Sequence, residues 1–257
     1  MIHFIRRIRK QLMSENRFGK YLLYAGGEIV LVIIGILVAL YLNGLSDIRK
    51  DRVREIAYLR NIQTDLRINV AEMDRYLEQR TGKIEAAKRI LEHFEGKPID
   101  DYAAFNQDGV DIYSWKKFYL VNNTFQEMVN SGNLALIGNA RIKNQLLDIE
   151  SLYTKMKSEE DHYRYDTENL IYEPIYEFMD LSALVDNYAW RVSGGKAGKD
   201  VALTGKDFEV YLKSRKLKNG FVMTILEFET MNGQMQDLRA KCQALIASID
   251  EEVKVGS

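Results

Sequence analysis

Apolar residues are laid along this chain in three different rhythms. From Gly26 to Leu45, "GGEIVLVIIGILVALYLNGL", they run almost unbroken. That length suits a helix crossing a bilayer, since about 20 largely apolar residues span the hydrocarbon. From Ile56 to Phe94 they recur at helical spacing. Ile56, Gln63, Val70, Leu77, Ile84 and Leu91 step by seven, and Leu59, Leu66, Met73, Arg80, Ala87 and Phe94 form the matching series, so that only Gln63 and Arg80 interrupt the seam. Two such series predict one long helix. Ile62, Tyr76 and Ile90 widen the stripe, which fits packing inside a bundle better than an isolated two-stranded coil. The membrane helix is expected to continue into this one and to end at "EGKP", Glu95 to Pro98. In the third rhythm, from Asp180 to Lys206, the period is lost, and "SGGKAGKD" reads as a flexible loop.

Between these stretches the pattern predicts shorter elements. Residues 99–121 read as loop and short helix. A helix from Thr124 to Ser131 stops at Gly132, a left-handed cap. "NLALIGNARIK" then forms a structural corner: Asn133 opens it, Leu134 and Ile137 fold back on the helix just ended, and Asn139 caps the next. That next helix carries Ile142, Leu146, Ile149 and Tyr153 and runs to about Phe178, with Pro174 kinking it or ending it early. A last helix spans Lys216 to Val253, with Phe221, Val222, Ile225, Leu226, Leu238, Leu245 and Ile249 as its expected buried face. Gly233 weakens its middle. The expected fold is all-α: one N-terminal transmembrane helix continuing into an extracytoplasmic up-down helical bundle. Its parts are a basic segment (1–20), the transmembrane helix (21–45) and the bundle domain (46–257).

Composition agrees. Among 257 residues there are 2 Pro and 17 Gly, which favours long helices over a β-sandwich. The lone Cys242 excludes a disulfide framework and reads as a buried small hydrophobe. Residues 1–60 hold 11 Lys and Arg against 5 Asp and Glu; the remainder holds 25 against 32. The basic end is therefore the membrane end, and the acidic balance of the rest argues against a nucleic-acid partner. Before the span, Phe4, Ile5, Ile8 and Leu12 share one helical face, while Arg6, Arg7, Arg9 and Lys10 lie largely elsewhere, with Arg17 and Lys20 following. This segment suits the surface of an anionic leaflet, so membrane lipids are an expected partner. Lys and Arg lead modestly on the upstream side, which places the N-terminus in the cytoplasm and the bundle in the periplasm, at the inner membrane. The basic region is long for a signal peptide, and no small-residue cleavage site follows the apolar run.

Glu28 is the single charge between Tyr21 and Leu45. It lies about two helical turns in from Lys20, at a depth where a carboxylate costs less than at the midplane. It can pair with Arg17, Lys20 or a neighbour's basic helix, serve a ring of carboxylates or a proton relay, or dock a partner helix. Gly35 and Ala39 form a small-xxx-small pair on nearly the same face, and Asn43 adds an amide one turn on. That face suits a homo-oligomer or a membrane-protein partner.

Catalytic patterns are missing. His3, His93 and His162 stand in no metal-binding spacing. "EEDHYRYD" puts His162 and Asp166 four apart with Glu159 one turn before, and the preferred reading is an ion-paired helix surface with no metal. "SGGKAGKD" lacks the spacing of a phosphate loop, and no cofactor is expected. Tyr163, Tyr165, Tyr172 and Tyr176 read as core and bundle-edge packing rather than a ligand pocket.

Two stretches carry a family resemblance. "SENRFGKYLLYAGGEIVLVIIGILVALYLN" and "TFQEMVNSGNLALIGNARIKNQLLDIESLY" resemble the signatures of domain-of-unknown-function family 6090, single-pass membrane proteins of Bacteroidota-type Gram-negative bacteria. Gly27 and Glu28 belong to the first match; Gly26 and "NGLSD" depart from it. The resemblance implies topology and architecture, and no enzymatic activity. The expected function is a non-enzymatic, membrane-anchored scaffold or accessory subunit. A ligand-sensing module working through a separate partner and an ion-conducting oligomer built on Glu28 are the alternatives.

Overall fold

The computed structural model describes the backbone of residues 18–255 and the side chains of residue 22 and residues 25–254. Among the described residues every regular element is helical and none is a strand. The chain divides into two compact units, Met1–Ala57 and Tyr58–Ser257.

Helix α1 runs Phe18–Phe94, so the apolar segment and the heptad segment are one continuous helix by hydrogen bonding. It stops where the seam stops, at a turn through Gly96, whose φ is +103°. Within the second unit the seam is buried as its spacing requires: Leu59, Leu66, Met73 and Ala87 are in the core. Gln63 and Arg80 are buried with them, each held by polar partners.

The chain then returns along α1. Arg89 holds Asp108 through two bonds of 2.8 and 2.6 Å in helix α2, Tyr102–Tyr113. Tyr76 donates to the Lys117 carbonyl at 2.9 Å, and Asn69 exchanges bonds of 2.7 and 2.8 Å with the Val121 backbone. Helix α3, Asn123–Asn130, reaches Tyr58, whose hydroxyl donates to Glu127 at 3.1 Å. The partners on α1 fall from 89 to 58 while those on the returning chain rise, so this leg is antiparallel. Helix α4, Ala140–Thr167, therefore starts beside the beginning of the seam and climbs parallel to α1: Leu146 and Ile149 share a core with Ile62 and Leu66, and Glu160 meets Arg80. Helix α8, Arg215–Val255, descends against both. Its contacts with α1 include Arg239 to Asp74 (2.6 Å) and Gln63 to Asp250 (2.7 Å); those with α4 include Asn139 to Glu252 (2.7 Å). The up-down order is kept because the α2–α3 leg supplies the first descent.

Pro174 is accommodated without a break. A π-helical turn, Glu168–Tyr172, follows α4 and delivers Pro174 into the first turn of helix α5, Glu173–Phe178, where a missing N–H is tolerated.

Two sequence expectations are corrected. Residues 180–206 are not patternless: helix α6 spans Leu181–Ser193 and helix α7 spans Gly205–Lys213. Asp180 caps α6 by accepting from the Ser182 N–H at 3.0 Å, and Thr204 with Asp207 forms a capping box for α7. Few of the α6 residues are fully buried (Leu184 and Asn187), so no apolar stripe announces it. "SGGKAGKD" is also hydrogen-bonded in place: the Ser193 hydroxyl accepts from Lys196 and Ala197 N–H, and the Lys199 N–H donates to the Asp186 carbonyl. On α8, Val222 and Leu226 are 46% and 55% exposed. The buried row is Phe221, Thr224, Phe228, Met231, Met235, Leu238, Cys242, Leu245 and Ile249, and Val222 and Leu226 sit one step off it.

Candidate functional site

In the first unit the sequence-predicted residues fall on an open helix surface. From Ile29 to Leu42 every large apolar side chain is half exposed or more. Glu28, Gly35, Ala39 and Asn43 are exposed with them. Seven residues separate Glu28 from Gly35 and four separate Gly35, Ala39 and Asn43, so the helix places all four along one side. A Cβ built at Gly27 or Gly35 meets nothing within 4 Å, so the small residues leave a groove rather than fill a packed contact. Arg6, Arg7, Arg9, Lys10 and Arg17 lie outside the described residues; Lys20 lies in α1, with its side chain outside them. Beyond Leu45, charge returns as pairs three residues apart: Lys50 with Asp47 (3.1 Å) and Arg52 with Glu55 (2.6 Å).

In the second unit the predicted corner is a tie point. Gly132 takes φ +74°, which a side chain disfavours, and a 3-10 turn, Asn133–Leu136, follows. Asn133 donates to the Tyr58 hydroxyl (3.1 Å) and to Ser131 (2.8 Å). Ile137 is buried and Leu134 packs against the same core. Asn139 accepts from the Arg141 and Ile142 N–H groups at the start of α4 while its amide donates to Glu252 of α8. The corner joins α1, α3, α4 and α8, which is structural work.

Two polar clusters lie in the bundle itself. Arg80 and Glu160 form an ion pair whose side chains are 3% and 0% exposed. Glu160 also accepts the Phe118 N–H at 3.1 Å, and the Arg80 guanidinium lies over the Tyr76 ring, 5.7 Å from its centroid. Burial pushes the Glu160 carboxyl up from its ordinary value, against the pull of Arg80 and that N–H. Arg80 Nε and Nη1 are buried without a protein acceptor. The second cluster joins α4 to α8. His162 Nε2 lies 3.9 Å from Asp166 Oδ2 and 3.8 Å from Glu227 Oε1. Burial pushes the Glu227 carboxyl up, Asp166 and Glu159 add to this, and His162 opposes it.

Sequence spacing pairs His162 with Asp166 but offers Glu159 as the third group, and Glu227 takes that place. The pairing of α4 against α8 supplies it, and its signal is the one buried acid among the described residues of α8, on a largely apolar row beside Phe228. The tyrosines separate. Tyr163 is core, packed on Trp115 and Phe228; Tyr172 donates to the Tyr113 carbonyl at 2.6 Å; Tyr165 and Tyr176 are exposed. Cys242 is buried as expected.

A family of unknown function, DUF6090, matches residues 28–173, which is more than half of the chain. The match opens on Glu28 and covers the apolar segment, the seam, the corner and α4; α8 and Glu227 lie beyond it. No curated protein and no solved structure matches the chain.

Proposed function

We propose, from the premise that this chain belongs to the family of unknown function DUF6090, that it is a non-enzymatic, membrane-anchored helical protein acting as a scaffold or accessory subunit. The observation that carries this reading is the uncovered apolar surface from Ile29 to Leu42. Removing each such side chain from water is worth about 1.5–3 kcal/mol. Summed over the segment this exceeds the net stability of an ordinary domain, about 5–15 kcal/mol, so a cover of lipid or protein is required. A helix long and apolar enough to cross a membrane supports lipid as that cover. The basic upstream flank supports an inner-membrane anchor with the N-terminus in the cytoplasm and residues 46–257 in the periplasm.

Association runs along the Glu28, Gly35, Ala39 and Asn43 side. Small residues let a second helix approach closely, and Glu28 and Asn43 supply hydrogen-bonding groups where water is scarce. The test is the mass of the detergent-extracted native complex, with wild type beside Glu28→Gln and Gly35→Leu. A defined oligomer or heterocomplex that falls apart in the variants is the expected result. A strictly monomeric wild type with no companion overturns the reading.

A further inference from the structure

Among the described residues, one group of three side chains has the types and the spacing to hold a metal ion: His162, Asp166 and Glu227. We propose that this group is a divalent transition-metal site, with Zn2+ its preferred ion, clamping α4 to α8.

The spacing is set by two helices. His162 and Asp166 are four apart on α4, so their side chains rise from one face. Glu227 comes across from α8, beside Phe228, which packs against Tyr163 with ring centroids 4.7 Å apart. That aromatic contact fixes the register that brings Glu227 to His162. One atom from each of the three residues lies within 4.8 Å of the others. A tetrahedral zinc with bonds of about 2.0–2.2 Å holds its ligand atoms about 3.3 Å apart. The two histidine distances, 3.9 and 3.8 Å, need to close by roughly half an ångström to meet it. Rotation of the exposed His162 ring, 59% open to solvent, supplies that movement.

Glu227 adds an independent reason. Its side chain is only 10% exposed, and among the described residues no hydrogen bond reaches its carboxylate. Its ion-pair partner is His162 Nε2 at 3.8 Å, and among the described residues no lysine or arginine forms a salt bridge with it. A nearly buried carboxylate that shares one exposed imidazole with a second carboxylate is costly, and buried charges are normally paired or metal-bound. A divalent ion satisfies both acids and the imidazole nitrogen together. An imidazole nitrogen in the set suits Zn2+ over Mg2+ or Ca2+, and three protein ligands with one open position are the tetrahedral arrangement Zn2+ takes in catalytic-type sites. His162 is 59% exposed, so the remaining coordination position faces solvent.

The test uses the full-length chain in detergent, stripped with a chelator and titrated with Zn2+ in a calorimeter, and with Co2+ as an absorbing probe. Wild type should bind one equivalent, gain thermal stability with rising Zn2+, and show the visible bands of Co2+ held by nitrogen and oxygen ligands. His162→Gln and Glu227→Gln should each weaken binding at least about tenfold, because even residues behind a ligand cost that much. Both keep side-chain size and helix, verified by circular dichroism. His93→Gln and Glu28→Gln should bind as wild type does, the second separating this site from the assembly reading. Wild type binding no metal, or the His162 and Glu227 variants binding as tightly as wild type, overturns the proposal.

Discussion

Arg80 of α1 and Glu160 of α4, eighty residues apart in the chain, meet as a fully buried ion pair at the height where the two helices run side by side. Such pairs add little net stability, because desolvation offsets the attraction, but removing one partner leaves a buried charge exposed to no counter-charge. Arg80→Leu should therefore cost about 3–5 kcal/mol and lower the melting temperature by roughly 10 °C. Glu160→Gln, which keeps an acceptor for the Phe118 N–H, should destabilise as well. The double variant should lose less than the sum of the two. Thermal unfolding of the four proteins measures the coupling, and strict additivity would show that the pair is not a unit.

Two glycines inside α8 should respond with opposite sign. A Cβ at Gly220 lies 2.6 Å from Ile171 Cγ1 and 3.2 Å from the Leu170 carbonyl oxygen, against the π-helical turn. Gly220→Ala forces backbone to move and should cost about 1–3 kcal/mol. A Cβ at Gly233 meets nothing within 4 Å. Gly233→Ala should stabilise by up to about 1 kcal/mol through helix propensity alone. Denaturant midpoints of the two variants, read against wild type, test both signs at once.

Gly198 holds the loop after α6 in place. Its φ is +73°, and a Cβ there lies 2.3 Å from the Asp186 carbonyl oxygen and 2.9 Å from Ala189 Cβ. Gly198→Ala should release residues 194–204 from α6, and limited proteolysis should then cut there faster than in wild type. An unchanged cleavage rate would mean the loop is already free in wild type.

What is legible in the sequence is whatever a local rule decides. The seam from Ile56 to Phe94, the Gly132 stop and the Asn139 cap each depend on neighbours within a turn or two, and each stands where the pattern puts it. Helix α6 escapes because little of it is buried, so burial writes no period into its residues; its cap, Asp180, and its stop, Gly194, are readable signals that the missing period overrode. Arg80 looks like a defect in the seam until Glu160 is opposite it, and His162 looks like surface until α8 brings Glu227. Both depend on which helices pair and in what register, which one helix's spacing does not contain. Glu28 is the reverse case: its oddity is plain in the sequence, while Arg17 and the Lys20 side chain, the partners its spacing offers, lie outside the described residues.

Cys242 offers a reporter for the whole second unit. It is fully buried between apolar neighbours on α8, and burial pushes its thiol up to about 12. The thiolate is the reacting form. At pH 8 the native chain holds roughly one thiolate in ten thousand, whereas an unfolded cysteine, with a pKa near about 8.5, is substantially ionised. Iodoacetamide at pH 8 should leave the native protein unlabelled and modify it fully in denaturant. Raising the pH towards 10 should still give slow labelling, since the folded thiol ionises only near 12. Because Cys242 shares a core with Leu59, Met73 and Met156, labelling requires α8 to part from α1 and α4. Arg80→Leu should speed labelling about tenfold for every roughly 1.4 kcal/mol of stability it removes. Rapid labelling of native wild type would place Cys242 at a surface and remove α8 from the core.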